Sequence, residues 1–238
     1  RIDLGIGRAP GGSPLEAFAL RRERTQSMPD DFPEQLVELL AFLRHDFPPH
    51  HAFGRIKVSP DMPGAPDVWL LGSSLWSASA AAQLGLPYAF AHFISPEPTR
   101  AAIEQYRAQF RPSRYLSEPH AIVALGAICA PTDAQAERLA ASARLMRRRL
   151  YQGDLRPIPT VEDALRELSE PGAAAPAEAG EWPRYFAGAP ANVREKLGAL
   201  AAALALDELM IVTIVHDQAA RLRSYELLAG AFGLTPQA

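Results

Sequence analysis

The sequence predicts an α/β fold in which helices cover a parallel β-sheet. First, 48% of the 238 residues are hydrophobic, which is enough to bury a sizeable core. Second, short apolar runs alternate along the chain with longer stretches of helical periodicity. This alternation is typical of parallel strands joined by helical crossovers. The pattern alone leaves open whether the sheet is open and doubly wound or closed as a barrel.

Five segments are predicted to be strands, because each is short, apolar and followed by a turn signal. They are residues 1–6, 67–71, 88–93, 120–129 and 207–214. Helical periodicity covers residues 32–45, 74–85, 96–110, 132–149, 190–204 and 217–232. Start signals support three of these helices: Pro96 at a first helical position, Thr132 before an Ala/Glu/Arg run, and Asp217 as a cap.

Two long segments interrupt the alternation of strands and helices. Residues 48–66 are rich in proline, and residues 150–189 contain the run PGAAAP at 171–176. Loops of this length are usually functional lids or disordered segments. We therefore expect 150–189 to be a mobile insertion.

Charge and cysteine content exclude several classes of protein. The formal net charge is −3, which provides no overall basic field for nucleic acid or anionic lipid. No apolar run is long enough to span a membrane. Cys129 is the one cysteine, so the chain has neither an internal disulfide nor a thiolate-rich metal site. We expect a soluble cytoplasmic protein with no bound metal.

A glycine-rich turn follows the first predicted strand. It reads GIGRAPGG over residues 5–12, and Pro10 occupies the position where a dinucleotide fingerprint needs glycine. The turn is either a simple exit from a strand or part of a ligand site. Arg8 favours a ligand site, because a guanidinium at the carboxyl end of a parallel strand points to the crevice where phosphorylated ligands bind.

A second turn, after the strand at 67–71, carries Gly72 and the hydroxyls of Ser73, Ser74 and Ser77. Serines here either cap the following helix or, with its backbone N–H groups, bind an anion. If the two strands are neighbours, both turns converge on one phosphate.

At these residues the chain resembles the bacterial luciferase-like family of flavin-dependent monooxygenases. The resemblance covers most of the chain. It rests on RIDLGIGRAPG (1–11), WLLGSS (69–74), QLGLPYAFAHF (83–93), YR (106–107), FRPS (110–113), DELMIVT (207–213), HD (216–217) and RLRSY (221–225).

This resemblance implies a (β/α)8 TIM barrel that binds reduced FMN (FMNH2) at the carboxyl ends of its strands and uses O2 to oxidise a small organic substrate. It also implies a separate flavin reductase and a homodimer. Arg8 would hold the FMN phosphate together with Ser73, Ser74 and Ser77, although some relatives carry a carboxylate where this chain has Ser73. His92 ends a strand and would contact the flavin ring or substrate, unless it simply packs in the core.

Five strands are fewer than the eight of a barrel. We therefore expect residues 1–238 to form the C-terminal portion of the barrel, about its last five βα units, with on the order of 95 residues absent. The start at Arg1, inside an apolar run, is typical of an interior fragment. The family's catalytic histidine would lie in the absent part, so the catalytic residue is unknown. Two alternatives remain: a non-catalytic flavin-binding remnant or partner subunit, and an oxidoreductase that uses the deazaflavin F420.

Overall fold

The computed structural model describes residues 2–8, 18–19, 31–59, 64–170 and 180–234. The chain divides into two units. The first comprises residues 1–72, 76–89 and 106–120, and the second comprises residues 73–75, 90–105 and 121–238. No helix among the described residues is long and apolar enough to cross a membrane.

The strands, in chain order, are β1 (Asp3–Gly7), β2 (Asp67–Gly72), β3 (Tyr88–Ala91), β4 (Ala121–Cys129), β5 (Tyr185–Gly188) and β6 (Leu209–Val212). The helices are α1 (Phe32–Arg44), α2 (Leu75–Leu84), α3 (Thr99–Gln109), α4 (Asp133–Tyr151), α5 (Val161–Leu168), α6 (Pro190–Ala203) and α7 (Gln218–Phe232). A short 3-10 helix occupies Ala52–Arg55. The α/β class predicted from the sequence is confirmed.

The first unit contains β1, β2 and the start of β3. β1 and β2 are parallel, and their register places Gly5 beside Trp69 and Gly7 beside Leu71. Leu70 is fully buried. Because side chains alternate along a strand, Trp69 and Leu71 project from the face opposite to Leu70, on the same side as the two glycines.

Small and aromatic residues pack the helices of the first unit. Ala78, Ala81 and Ala82 are buried on α2, which lets this helix lie close to its neighbours. Gly85 ends the helix in the left-handed region at φ +61°, and a Cβ there would stand 2.5 Å from Ser113. Glycine meets both demands of this turn.

The second unit is built around β4, whose nine residues are all buried. The Phe93 amide donates to the Ala124 carbonyl and the Gly126 amide donates to the Arg184 carbonyl, both at 3.2 Å. Alternate residues of a strand direct their backbone groups to the same edge. The same edge of β4 therefore pairs first with the β3 segment, at Ala124, and then with the β5 segment, from Gly126 onward. β6 pairs with residues 123–126 of β4 on the other edge.

Side-chain caps start α4 and α7 of the second unit. The Thr132 hydroxyl accepts the Gln135 amide at 3.2 Å, and the Asp217 carboxylate accepts the Ala220 amide at 2.7 Å. Both predicted caps are confirmed. The prediction that Pro96 occupies a first helical position is wrong, because α3 begins at Thr99.

All five predicted strands are present, and no bound is shifted by more than two residues. The segment 150–189 contains α5 and β5, neither of which was predicted, and its residues 171–179 lie outside the described residues. Its mobility stays a prediction.

Candidate functional site

Arg8 stands directly after β1 in the first unit, at the carboxyl end of the strand. Its guanidinium carbon lies 4.0 Å from the ring centroid of Trp76 in α2. The Phe32 ring meets Trp76 edge-on, with centroids 5.9 Å apart. A cation over an indole face gains roughly 0.5–1 kcal/mol at an exposed site. The ring of Trp76 thus orients the guanidinium of Arg8.

Gly72 ends β2 at the same end of the sheet, because Gly7 and Leu71 are register partners. A Cβ on Gly72 would overlap the side chain of Ser77. The overlap involves Ser77 Cβ as well as Oγ, so rotation of the hydroxyl cannot relieve it. The close approach of β2 to the first turn of α2 therefore requires glycine at position 72.

Ser73 and Ser74 form the turn between β2 and α2, and α2 begins at the next residue. Ser74 is exposed and Ser73 is partly exposed. Amide groups in the first turn of a helix point away from it and favour an anion. The two hydroxyls stand at that end of α2, and their contact with a phosphate stays a prediction.

Ser77 occupies a different environment from the other serines. It is buried, and its hydroxyl lies 2.9 Å from the Tyr88 hydroxyl. Burial raises the pKa of Tyr88 to about 12, while the hydrogen bond with Ser77 acts in the opposite direction. The pair ties α2 to β3. This contact accounts for Ser77 structurally, and its predicted contact with a phosphate remains untested.

His92 is fully buried just after β3. Its Nδ1 lies 2.7 Å from the Thr99 hydroxyl and its Nε2 lies 3.0 Å from the Pro183 carbonyl. A carbonyl only accepts, so Nε2 donates. His92 thus joins the end of β3 to the segment that precedes β5. A structural role in the core therefore accounts for both ring nitrogens of His92. Contact of His92 with a flavin or substrate stays a prediction.

The sequence predicts that the cluster Arg147-Arg148-Arg149 forms an exposed helix face, but these side chains, like that of Arg184, are engaged. Arg147 and Arg184 both donate to the carbonyls of Phe93 and Ile94, in the turn after β3. Arg148 and Arg149 both pair with Glu167 of α5, at 2.7 and 2.5 Å. The expectation of an exposed face at 147–149 is therefore wrong.

The sequence did not predict two residues of the site: Trp76, whose ring lies against the Arg8 guanidinium, and Tyr88, whose hydroxyl is hydrogen-bonded to Ser77. A tryptophan four residues after Gly72 was the available signal for the first. In the parts of the chain that the structure describes, no three His, Cys, Asp or Glu side chains are grouped as metal ligands.

Comparisons with known proteins give consistent matches. The crystal structure of apo-MsnO8 is 46% identical, superposes with a TM-score of 0.87, and is matched over 100% of this chain and 70% of its own. YwcH of Bacillus subtilis strain 168 is 39% identical over 98% of this chain and 69% of its own length. A protein of Escherichia coli strain K12 named luciferase-like monooxygenase is 34% identical over 95% of this chain and 66% of its own length.

More distant solved structures share the fold. The oxygenating constituent of 3,6-diketocamphane monooxygenase, solved with FMN, has 17% identity and a TM-score of 0.59, over 98% of this chain and 72% of its own. An F420-dependent secondary alcohol dehydrogenase has 11% identity and a TM-score of 0.60, over 97% and 69%. The predicted luciferase-like barrel fold is thereby confirmed.

The family model described as luciferase-like monooxygenase matches residues 1–207. The chain belongs to the luciferase-like monooxygenase family.

Proposed function

We propose that this protein is a flavin-dependent monooxygenase that uses FMNH2 and O2 to oxidise a small organic substrate. Two kinds of support favour this function. Relatives at 31–34% identity bear monooxygenase names, among them N-acetyl-S-alkylcysteine monooxygenase of Bacillus subtilis. In this chain the observation that carries the proposal is Arg8, which stands at the carboxyl end of β1 with its guanidinium over Trp76.

The residues present fit the phosphate of FMN. A guanidinium binds phosphate oxygens through paired N–H donors, and the ring beneath Arg8 restricts its motion before the ligand arrives. Gly72 lets β2 meet α2 closely, and the hydroxyls of Ser73 and Ser74 are the next groups along the chain. In this proposal Arg8, Ser73 and Ser74 hold the phosphate.

Beside this turn the first unit offers an apolar surface. Gly5 and Gly7 present only backbone on the face from which Trp69 and Leu71 project, and a Cβ on Gly5 would come within 2.8 Å of the Leu71 side chain. Leu71 is 38% exposed there. Reduced FMN supplies the electrons for oxygen activation when bound, and an apolar wall excludes the water that would divert such chemistry.

The partners of the reaction follow from the same proposal. Because the family resemblance implies it, we infer that a separate flavin reductase supplies FMNH2. The homodimer belongs to this proposal as well. Aldehydes, sulfonates, amines and polyketides remain the substrate classes to be screened.

The test compares FMN binding by two arginine variants. Arg8→Ala is expected to weaken FMN binding at least tenfold, because a charge-assisted hydrogen bond contributes about 1.5–3 kcal/mol. Arg44→Ala is the matched control, since Arg44, in the last turn of α1, also lies over an aromatic ring, that of Tyr115 at 4.6 Å. Flavin fluorescence quenching measures both. Equal affinities of the two variants would refute the assignment of Arg8.

Oxygenase activity is tested by a second measurement, of O2 uptake. With a flavin reductase and NADH present, the wild-type protein should increase substrate-dependent O2 uptake above that of the reductase alone. FMN binding without such uptake would contradict oxygenase activity and support a non-catalytic flavin-binding protein. Tight binding of F420 with weak binding of FMN would identify F420, and not FMN, as the cofactor.

A further inference from the structure

Trp76 stands where the two turns of the proposed phosphate site meet. It is the second residue of α2, and its ring centroid lies 4.0 Å from the guanidinium carbon of Arg8, which follows β1. The contact brings the cation of one turn against the first helical turn of the other. Because the amides of a first helical turn favour an anion, two kinds of anion-binding group share the indole ring as a neighbour.

Contacts on either side of Trp76 fix the position of its ring. The Phe32 ring, at the start of α1, meets the indole edge-on, with centroids 5.9 Å apart and planes at 65°. The next residue, Ser77, is buried, and its hydroxyl lies 2.9 Å from that of Tyr88. The backbone that carries Trp76 is thus tied to β3. The partly buried indole is therefore a fixed surface against which Arg8 lies.

An aromatic ring holds an arginine in a particular way. The ring face attracts the guanidinium through its quadrupole and carries no net charge, so this contact cancels none of the positive charge of Arg8. The Arg8 residue is exposed, so a ligand can approach it from solution. The indole therefore fixes the direction of the guanidinium and preserves the charge that attracts phosphate.

Holding Arg8 in place before a ligand arrives strengthens binding. Ordering a long side chain at the moment of binding weakens affinity by about three- to tenfold. Against the indole face the Arg8 side chain is ordered already in the free protein. The benefit applies only to ligands that the guanidinium binds, and the group that it binds in a flavin is the phosphate.

We propose that Trp76 is a positioning residue that makes this site selective for FMN over riboflavin, the same flavin without the phosphate. The inference rests on the proposed function, in which Arg8 binds the phosphate of FMN. The indole acts through Arg8: it holds the guanidinium beside the first turn of α2, so that the guanidinium and the first-turn amides bind one phosphate. Removing the ring therefore lowers the affinity for FMN and leaves that for riboflavin unchanged.

The first experiment measures the dissociation constants of FMN and riboflavin by quenching of flavin fluorescence. Trp76→Leu should weaken FMN binding about three- to tenfold and change riboflavin binding by less than about twofold. Trp76→Phe keeps a ring face and should retain most of the affinity for FMN. Trp182→Leu is the matched control, since Trp182 also lies against an arginine, Arg100 at 5.1 Å, and this variant should bind both flavins like the wild type.

A double-mutant cycle determines whether the ring acts through Arg8. In the Arg8→Ala background there is no guanidinium to position, so adding Trp76→Leu should weaken FMN binding no further. Arg8→Lys keeps the charge and loses the planar group, so its FMN affinity should fall between those of the wild type and Arg8→Ala. Position 8 is exposed, so Arg8→Lys tests the proposal even if Trp76→Leu fails to fold.

Four results would overturn the proposal while Arg8→Ala still weakens FMN binding. They are wild-type FMN affinity in Trp76→Leu, equal losses of FMN and riboflavin affinity in that variant, additive losses in the cycle, and wild-type FMN affinity in Arg8→Lys. Equal losses would mean that the ring contacts the flavin itself or supports the fold. If Arg8→Ala binds FMN like the wild type, the phosphate assignment of the proposed function is wrong, and this inference fails with it.

Discussion

Replacing Gly126 with alanine should destabilise the protein by about 1–2 kcal/mol. A Cβ at Gly126 would overlap the Tyr185 ring at Cδ1, lie 2.6 Å from Cε1 and stand 2.9 Å from the Arg184 carbonyl oxygen. The ring can swing away, but the carbonyl belongs to the backbone beside β5. Overpacking of this kind costs about 1–3 kcal/mol, and the lower entropy of the unfolded alanine chain offsets about 0.5–1 kcal/mol.

The matched control is Gly198→Ala in α6, where an added Cβ meets nothing within 4 Å. Alanine is the better helix former, so this variant should gain about 0.5–1 kcal/mol. Urea unfolding followed by circular dichroism measures both. For a chain of this size each kcal/mol shifts Tm by about 2–4 °C, so the two variants should move Tm in opposite directions.

A double variant locates the cause of the loss. When Tyr185→Ala is combined with Gly126→Ala, the ring overlap disappears, so the combined loss should be smaller than the sum of the two single losses. A neutral or stabilising Gly126→Ala would refute the reasoning, since it would mean that β5 does not approach β4 as closely as described.

Three further predictions concern hydrogen bonds and caps. Tyr88→Phe should cost about 1 kcal/mol by removing the bond to Ser77, and adding Ser77→Ala should cost little more, as a double-mutant cycle in urea would reveal. Hydrogen bonds from Arg149 and then Arg148 lower the pKa of Glu167 to about 2 from an ordinary 4.5. The resulting stabilisation is present above pH 4.5 and is lost as pH falls toward 2. Glu167→Gln should therefore reduce the loss of stability between pH 5 and pH 3, and an unchanged acid dependence would count against it. Asp217→Ala should cost about 1 kcal/mol and Asp217→Asn much less, because asparagine also caps helices. A large loss of activity in Asp217→Asn with unchanged unfolding would instead favour a chemical role.

The strands and most helices were predictable because each carries a strong local signal. β4 is an uninterrupted apolar run, and Thr132 and Asp217 mark helix starts by their side-chain chemistry. β5 was not predictable in this way, because its sequence YFAG lies in the segment 150–189, where alanine, proline and glycine obscure any strand pattern. α5 had a usable signal in Thr160, whose hydroxyl accepts the Asp163 amide at 3.1 Å, but the prolines around it favoured a loop.

Side-chain partners were less accessible from the sequence than backbone elements. The position of Arg8 after β1 followed from the turn, whereas its partner Trp76 comes from α2. His92 forms a hydrogen bond with the carbonyl of Pro183, which is distant in sequence, so no local pattern predicted that contact. Arg148 and Arg149 were expected to be solvated for the same reason, since their acceptor Glu167 lies beyond the end of α4.

The succession of β3 and β5 along one edge of β4 divides that single strand into two zones of local stability. The amides of Gly126 and Ala130 bond to the segment around β5, at 3.2 Å each, so their exchange with solvent follows the undocking of β5. The carbonyl of Ala124 bonds to the segment after β3 and is independent of that event. On this edge, residues 126–130 can therefore lose their partner while Ala124 stays paired, and the boundary between the two zones falls between Ala124 and Gly126.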